Sequence, residues 1–217
     1  MKAQKLLILG AGGFAREVLW AFREDDEVQA RWDILGFIDE DAAKHGKMYC
    51  EVSVLGGLEW LERTDPSDIK LISGVGDPKV KRHFNEKSGR MGFRFCTLIH
   101  PGAKMSRYVE VGEGTLITAG NIITTQVRIG NHVTVNLSCT IGHDVVIEDY
   151  CTIAPGTNIA GNVTIKEGAN LGTGAIILPG LTVGKWSTIG AGAVVTHDIP
   201  DDVIAVGVPA RISGPAG

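Results

Sequence analysis

The sequence predicts two domains, a small α/β domain with a parallel sheet followed by an all-β domain wound as a parallel β-helix. Two observations carry this prediction. An apolar run, a glycine cluster and a helical pattern follow one another at the start of the chain, and from Val111 onward an aliphatic residue recurs at every sixth position. With 217 residues, the chain is long enough for two packed cores.

The six-residue repeat determines the fold of the second half. It runs without a miss through Val111, Ile117, Ile123, Ile129, Val135, Ile141, Ile147, Ile153, Ile159, Ile165, Leu171, Ile177, Val183, Ile189 and Val195. A period of six matches neither the helical turn nor the heptad, and each glycine that follows these positions would destabilise a helix by about 1 kcal/mol. Each hexad therefore predicts a short strand and a corner. Three hexads make one triangular coil of 18 residues, whose aliphatic side chains point inward.

The repeat also sets the predicted domain boundaries, which we place at residues 1–95 and 96–217. Ile99 and Met105 keep the phase of the repeat, so the coil can begin near His100. The pattern breaks at 198–202, and residues 206–210 then close the prism.

The first domain is predicted from a strand, a glycine turn and a helix in succession. Residues 5–9 are apolar, the turn reads Gly10-Ala11-Gly12-Gly13-Phe14-Ala15, and further strands end at Asp39 and Ser73. This alternation indicates a small Rossmann-like parallel sheet. Gly10, Gly12 and Gly13 would let the backbone approach phosphates at the helix N-terminus, and Asp39 could accept hydrogen bonds from a ribose or a base.

Two other interpretations of this turn stay open. The motif is also that of an NAD site, although about 95 residues is roughly half of a full dinucleotide fold. The second interpretation is that the glycines form a tight turn that binds no ligand.

Composition favours small-molecule substrates. The net charge of −4 and the lack of a dense Lys/Arg block argue against nucleic acid or an anionic membrane as partner. No apolar stretch of the sequence reaches about 20 residues, and the opening apolar run is shorter than the core of a signal peptide, so we expect a soluble, unexported chain. Four cysteines without a C-x-x-C pair indicate neither a disulfide framework nor a thiolate zinc site, and they fit a cytoplasmic protein.

His143 is the candidate catalytic residue of the β-helix. It stands two residues after the inward Ile141, at a corner, and Asp144 follows it directly. Gly161 lies one 18-residue coil further on, beside His143. A glycine there would leave room for a thin ligand arm and offer an N–H to an oxyanion. Another corner carries the small residues Thr173 and Ala191, which could form the opposite wall of a groove across a subunit interface.

A zinc site like that of the γ-class carbonic anhydrases is the competing interpretation on this fold. Such a site needs three converging histidines, but the residue five positions after His143 is Glu148. We therefore expect no metal, and His143 is left to act as a base.

The motifs together resemble the sugar O- and N-acetyltransferases typified by sialic acid O-acetyltransferases and bacterial nucleotide-amino-sugar N-acetyltransferases. The pieces that carry the resemblance are Gly10-Ala11-Gly12-Gly13, Gly36-Phe37-Ile38-Asp39, the segment 136–144, Ala160-Gly161-Asn162 and Gly207-Val208-Pro209-Ala210. The resemblance implies a left-handed β-helix, a homotrimer, and acetyl-CoA bound in a groove between two subunits. It implies that the first domain holds the nucleotide.

The same resemblance implies a role for each site residue. His143 would be the general base, Asp144 its orienting acid and Asn136 a nearby polar group, while Gly161, Thr173 and Ala191 would lie along the pantetheine arm. This chain departs from the pattern at Phe14 and Thr152, where some members carry histidine.

We therefore expect an acetyl-CoA-dependent N-acetyltransferase acting on the amino group of a UDP- or GDP-linked amino sugar. Two alternatives are a sugar O-acetyltransferase, acting for example on sialic acid, and a non-catalytic scaffold that binds nucleotide sugars. The first would acetylate a hydroxyl, and the second would not bind CoA.

Overall fold

The computed structural model describes residues 3–216, which form two compact units. The first contains residues 3–76 and 80–97, and the second contains residues 77–79 and 98–216. Within the described range, none of the helices has the length and apolar character needed to span a bilayer.

The first unit is built on a six-stranded sheet with strand order β3-β4-β2-β1-β5-β6. Its strands are β1 (Gln4–Leu9), β2 (Trp32–Ile38), β3 (Met48–Tyr49), β4 (Val52–Gly56), β5 (Ile69–Ser73) and β6 (Arg94–Phe95). The helices are α1 (Gly13–Arg23), α2 (Asp26–Gln29), α3 (Leu58–Leu61) and α4 (Pro78–Arg90). All pairings are parallel except that of β3 with β4.

The glycine turn lies where the strand order reverses. From β1 the chain proceeds to β2 on one side, and it later returns to β5 on the other side of β1. Both flanking strands are parallel to β1, so the turn after Leu9 opens at their carboxyl ends, where α/β sheets bind ligands. Helix α1 packs closely here: a Cβ on Gly74 would lie 2.6 Å from the Cβ of Ala15.

The second unit is a parallel β-helix of two-residue strands. In chain order these are β7 (Leu98–Ile99), β8 (Lys104–Met105), β9 (Glu110–Val111), β10 (Leu116–Ile117), β11 (Ile122–Ile123), β12 (Arg128–Ile129), β13 (Thr134–Val135), β14 (Thr140–Ile141), β15 (Val146–Ile147), β16 (Thr152–Ile153), β17 (Asn158–Ile159), β18 (Thr164–Ile165), β19 (Asn170–Leu171), β20 (Ile176–Ile177), β21 (Thr182–Val183), β22 (Thr188–Ile189) and β23 (Val194–Val195). Each strand pairs with the strand 18 residues away, as for Thr140 with Asn158.

The strands form three faces. Face one contains β7, β10, β13, β16, β19 and β22; face two contains β8, β11, β14, β17, β20 and β23; face three contains β9, β12, β15, β18 and β21. We call the edge between faces two and three the catalytic edge (residues 106–109, 124–127, 142–145, 160–163, 178–181 and 196–199). The arm edge lies between faces one and two (118–121, 136–139, 154–157, 172–175 and 190–193). The third edge lies between faces three and one (112–115, 130–133, 148–151, 166–169 and 184–187).

The predicted repeat fills the interior. Of its fifteen positions, all except Val111 are buried, and Val111 is partly buried against the same core. The corner positions four residues later in the chain also point inward, which explains why Cys139 and Cys151 are buried. Ile99, by contrast, keeps the phase but is 42% exposed, because the first coil has no earlier coil to pack against.

The end of the prism is covered by two longer strands. Strand β24 (Val203–Val206) pairs in parallel with β22, and β25 (Arg211–Pro215) returns antiparallel to β24. The break in the repeat at 198–202 thus marks the change from coils to this closing hairpin.

Candidate active site

The backbone of the catalytic edge aims His143 and Asp144 at each other. Asp144 has φ 57°, in the left-handed region that Asp tolerates better than most residues, and its N–H donates to the Thr125 carbonyl at 3.1 Å. From this corner the Asp144 Oδ2 lies 2.8 Å from His143 Nδ1. The two side chains are 58% and 48% exposed, so a substrate can reach them.

The other imidazole nitrogen lies over Gly161. A Cβ on Gly161 would stand 2.5 Å from His143 Nε2 and 2.6 Å from Cε1, so only glycine leaves space for the ring. Gly142 is likewise crowded, because its Cβ would lie 2.7 Å from the Gly161 nitrogen. The adjacency of His143 and Gly161 agrees with the 18-residue coil. The imidazole lies in the space that a Cβ on Gly161 would take, and the expectation that a ligand arm passes beside Gly161 stays a prediction.

The edges differ in how their corner N–H groups are paired. On the third edge, side chains of the next coil accept several of these hydrogen bonds, as when the Asn131 N–H donates to Asp149 Oδ1 at 2.7 Å and the Glu113 N–H donates to Asn131 Oδ1 at 2.9 Å. On the catalytic and arm edges, the N–H groups of Gly161, Thr173 and Ala191 have no acceptor among residues 3–216. These donors are open to a ligand's carbonyl oxygens.

Asn136 does not lie beside His143 in a single chain. It follows β13 on the arm edge, whereas His143 follows β14 on the catalytic edge, with face two between them. Its Oδ1 accepts the Leu137 N–H at 2.8 Å. Six residues of chain span one face, so two residues seven positions apart fall on different edges. Thr173 and Ala191 share the arm edge with Asn136.

The described residues offer no obvious metal site. No three His, Cys, Asp or Glu side chains within residues 3–216 are grouped so that they could hold an ion. His197 is on the catalytic edge too, but it stands three coils from His143, or about 14 Å at the usual strand spacing.

In the first unit, the glycine turn leaves the start of α1 uncapped. Gly12 is the N-cap residue, and having no side chain it offers no acceptor to the first N–H groups of the helix. A Cβ on Gly12 would meet nothing within 4 Å, so the space before the helix is open, while Gly10 has φ 91° and therefore needs to be glycine. This N-terminus suits a phosphate group.

Asp39 holds this turn rather than offering free acceptors to a ribose. Its Oδ2 accepts the Ala11 N–H at 2.7 Å and its Oδ1 accepts the Asp41 N–H at 2.9 Å. Lys44 Nζ lies 3.0 and 3.2 Å from the two oxygens, so protein donors occupy all four acceptor positions. Burial raises the pKa of the Asp39 carboxyl, but the hydrogen bonds from Asp41, Lys44 and Ala11 outweigh it, and the pKa lies below its usual value.

Sequence comparison agrees with the two-unit fold. Residues 5–88 match the family model described as PglD N-terminal domain, and residues 162–197 match the bacterial transferase hexapeptide model. A curated relative, UDP-N-acetylbacillosamine N-acetyltransferase of Bacillus subtilis (strain 168), is 41% identical over 74 residues. That alignment spans 30% of this chain and 34% of the relative, so the chain covers about a third of its length.

Solved structures match over almost the whole chain. PerB from Caulobacter crescentus, in complex with CoA and GDP-perosamine, is 32% identical with a TM-score of 0.88 over 97% of both chains. The acetyltransferase domain of PglB from Neisseria gonorrhoeae FA1090, in complex with acetyl coenzyme A, is 29% identical with a TM-score of 0.84 over 97% of this chain and all of that one. The chain therefore belongs to the hexapeptide-repeat family of nucleotide-amino-sugar acetyltransferases, with a left-handed β-helix as its second domain.

Proposed function

We propose that the protein transfers an acetyl group from acetyl-CoA to the amino group of a nucleotide-linked amino sugar. The observation that carries this proposal is the exposed His143–Asp144 pair, with His143 Nε2 placed over Gly161. Similarity to PerB, whose complex contains CoA and GDP-perosamine, supports the choice of an amine as acceptor.

The reaction follows from the geometry of the pair. Asp144 accepts a hydrogen bond from the Nδ1–H of His143, which leaves Nε2 with a lone pair that can accept a proton. The sugar amine attacks the thioester carbon and forms the C–N bond, and its proton passes to Nε2. The C–S bond then breaks, and the imidazolium returns the proton to the departing thiolate. The open N–H of Gly161 is the donor available to the oxyanion.

Acetyl-CoA would lie along the open donors of the arm edge. The pantetheine chain carries two amides, whose carbonyls suit the N–H groups of Thr173 and Ala191. Because these residues and His143 lie on different edges of one chain, the groove needs the catalytic edge of one protomer and the arm edge of another. We therefore infer a homotrimer in which face two of each protomer packs around a threefold axis.

The first domain would hold the nucleotide. Phosphates would bind the uncapped N-terminus of α1 at Gly12 and Gly13, and Gly10 would supply the turn that exposes it. Asp39 would contribute by fixing Ala11 rather than by contacting the ribose. The described cysteines are all free thiols, which supports a cytoplasmic location.

A turnover assay tests the proposed reaction. CoA release should be seen with GDP- or UDP-linked amino sugars and should be absent or much slower with sialic acid. Activity on the hydroxyl acceptor alone would contradict the proposal, as would a failure of the protein to bind CoA in calorimetry.

Variants of the pair test the mechanism. His143→Ala should lower kcat by about 10²–10⁴-fold with CoA affinity nearly unchanged, because a positioned base is worth that much. Asp144→Asn should cost less, since the amide oxygen can still accept from Nδ1–H. His197→Ala, on the same edge, is the matched control and should keep full turnover; an equal loss in the control would remove the assignment.

A further inference from the structure

A cleft on face three lies directly beside the His143–Asp144 pair and is not used by the mechanism above. It has a volume of about 480 Å³ and is lined by Arg107, Tyr108, Glu110, Gln126, Arg128 and Asp144. Arg107 stands on the catalytic edge two coils before His143, and Asp144 forms the wall that the cleft shares with the catalytic pair. A group bound in the cleft would therefore be one side chain away from the imidazole.

The side chains of this cleft are exposed and largely unpaired with carboxylates. Tyr108 is 55% exposed; Arg107 Nη2 donates to its hydroxyl at 2.6 Å, and the guanidinium lies 4.8 Å from the centre of its ring. Neither Arg107 nor Arg128 forms an ion pair with a carboxylate in the part of the chain that the structure describes. Gln126 adds an exposed amide next to them.

The chemistry of the lining matches a ring that carries hydroxyl groups. The guanidinium groups of Arg107 and Arg128 balance the charge of the two carboxylates, those of Glu110 and Asp144. Together with the Gln126 amide, these groups offer planar hydrogen-bond donors and acceptors that suit two neighbouring hydroxyl groups of a sugar. An aromatic ring beside them can pack against the C–H face of a sugar. The carboxylates of Glu110 and Asp144 would repel a polyphosphate, which argues against the CoA phosphates as the occupant.

The position of the cleft agrees with this assignment. The open N–H groups assigned to acetyl-CoA follow His143 in the chain, at Gly161, Thr173 and Ala191, and so lie toward the carboxyl end of the coil stack. The other lining residues of the cleft precede His143 and lie toward the opposite end. Two substrates that meet at one imidazole need separate approaches, and the cleft and the proposed acetyl-CoA groove reach His143 from opposite ends of the coil stack.

We propose that this cleft binds the sugar ring of the acceptor, with Arg128 and Tyr108 determining which hydroxyl pattern is accepted. The inference rests on the proposed acetyl transfer. It adds specificity-determining residues outside both the glycine turn and the catalytic pair.

Steady-state kinetics of Arg128→Met and Tyr108→Leu test the inference, with a GDP- or UDP-linked amino sugar that the wild type acetylates. For Arg128→Met, loss of a hydrogen bond to a charged group should raise the KM for the sugar about tenfold or more. For Tyr108→Leu, loss of the aromatic ring that packs against the sugar should also raise this KM. Both variants should keep the KM for acetyl-CoA within about twofold of the wild type. Arg63→Met, which removes an exposed arginine from the first unit, is the matched control for charge and should change neither constant.

Binding to His143→Ala supplies a second readout that does not depend on turnover. Calorimetry should show weaker binding of the nucleotide sugar when Arg128→Met is added, with CoA binding unchanged. The assignment is overturned if both variants keep the wild-type KM for the sugar. It is also overturned if the KM values for the sugar and for acetyl-CoA rise together, or if only the KM for acetyl-CoA rises. If instead the wild type fails to acetylate any amino sugar, the proposed function itself is wrong.

Discussion

His143 occupies the space that a side chain at Gly161 would need. The Nε2 atom lies 2.5 Å from the position of a Cβ on that glycine, one coil away. The proposed reaction needs a positioned base and a donor to the oxyanion. The contact between His143 and Gly161 serves both, because it sets the imidazole in place and puts the proposed oxyanion donor, the Gly161 N–H, on the same glycine.

Gly161→Ala should consequently lower turnover without unfolding the β-helix. The added methyl would push the imidazole from its place, and a small displacement of a catalytic group can cost about 100-fold in kcat. Gly161 does not have a positive φ, so alanine is not strained by the backbone. The measurement is kcat together with the thermal midpoint.

Gly214→Ala is the matched control, because a Cβ there would meet nothing within 4 Å. It should leave both quantities near those of the wild type. Retention of full turnover by Gly161→Ala would show that the contact with His143 is dispensable.

The six-residue period predicts the interior of the β-helix well because each inward position follows one rule, that of an aliphatic side chain. It also predicts that Gly161 neighbours His143, since the spacing places backbone positions. It does not predict which space the imidazole fills, because side-chain rotamers have no period. Asp39 shows the same limit: its place at a strand end can be predicted, but its pairing with Lys44 depends on the short 3₁₀ helix Ala42–Lys44, which has no signal in the strand pattern.

Asn136 shows what the repeat adds to the resemblance. The resemblance places Asn136 close to the base, and counting residues along the coil places it on the arm edge, so in the proposed homotrimer it would approach His143 only from another protomer. The aliphatic repeat does not predict the cleft lined by Arg128, nor the side-chain acceptors Asn131 and Asp149 on the third edge. These side chains point outward, and the repeat fixes the residue type only at inward positions.

Asp39→Asn should loosen the glycine turn. The amide can accept at one oxygen only, so either the Ala11 or the Asp41 N–H loses its partner, at about 1–3 kcal/mol. We expect a lower thermal midpoint and weaker binding of the nucleotide sugar. Asp33→Asn, at an exposed position of β2, the strand that precedes Asp39, is the control and should be neutral. If Asp39→Asn and Asp33→Asn had the same thermal midpoint and the same affinity for the nucleotide sugar, Asp39 would not hold the glycine turn.

The same carboxylate should make stability depend on pH in acid. Because the pKa of Asp39 is lower in the folded protein than in the unfolded chain, its contribution is present above the usual Asp pKa near 4 and is lost as the pH falls through the lowered value. Urea unfolding of wild type and Asp39→Asn between pH 3 and 7 measures this effect, and the gap between them should narrow toward acid.

The buried thiols should titrate late and react slowly. Burial raises the pKa of the Cys139 thiol to about 11 and that of Cys96 to about 12, whereas Cys50 is exposed. A thiol reagent at neutral pH should modify Cys50 rapidly and the buried cysteines only after denaturation. The same raised pKa makes stability depend on pH in base. Cys139 ionises near pH 9 in the unfolded chain but only near pH 11 in the folded protein, so the free energy of unfolding should fall as the pH rises from about 9 to about 11. Rapid labelling of Cys139 in the native protein would contradict its place in the core.

We expect face two to be the surface through which the proposed homotrimer assembles, because it lies between the two edges that the proposed acetyl-CoA groove needs. Its outward positions include Ile122 and Ile176, which are 48% and 38% exposed in the single chain. Ile176→Asp would place a charge in a packed interface, so light scattering should show a monomer and turnover should be lost. Thr164→Asp, at an outward position of face three, should leave both the mass and the activity unchanged. A monomeric wild type with full turnover would remove the shared groove, since one chain cannot bring Thr173 and Ala191 to its own His143.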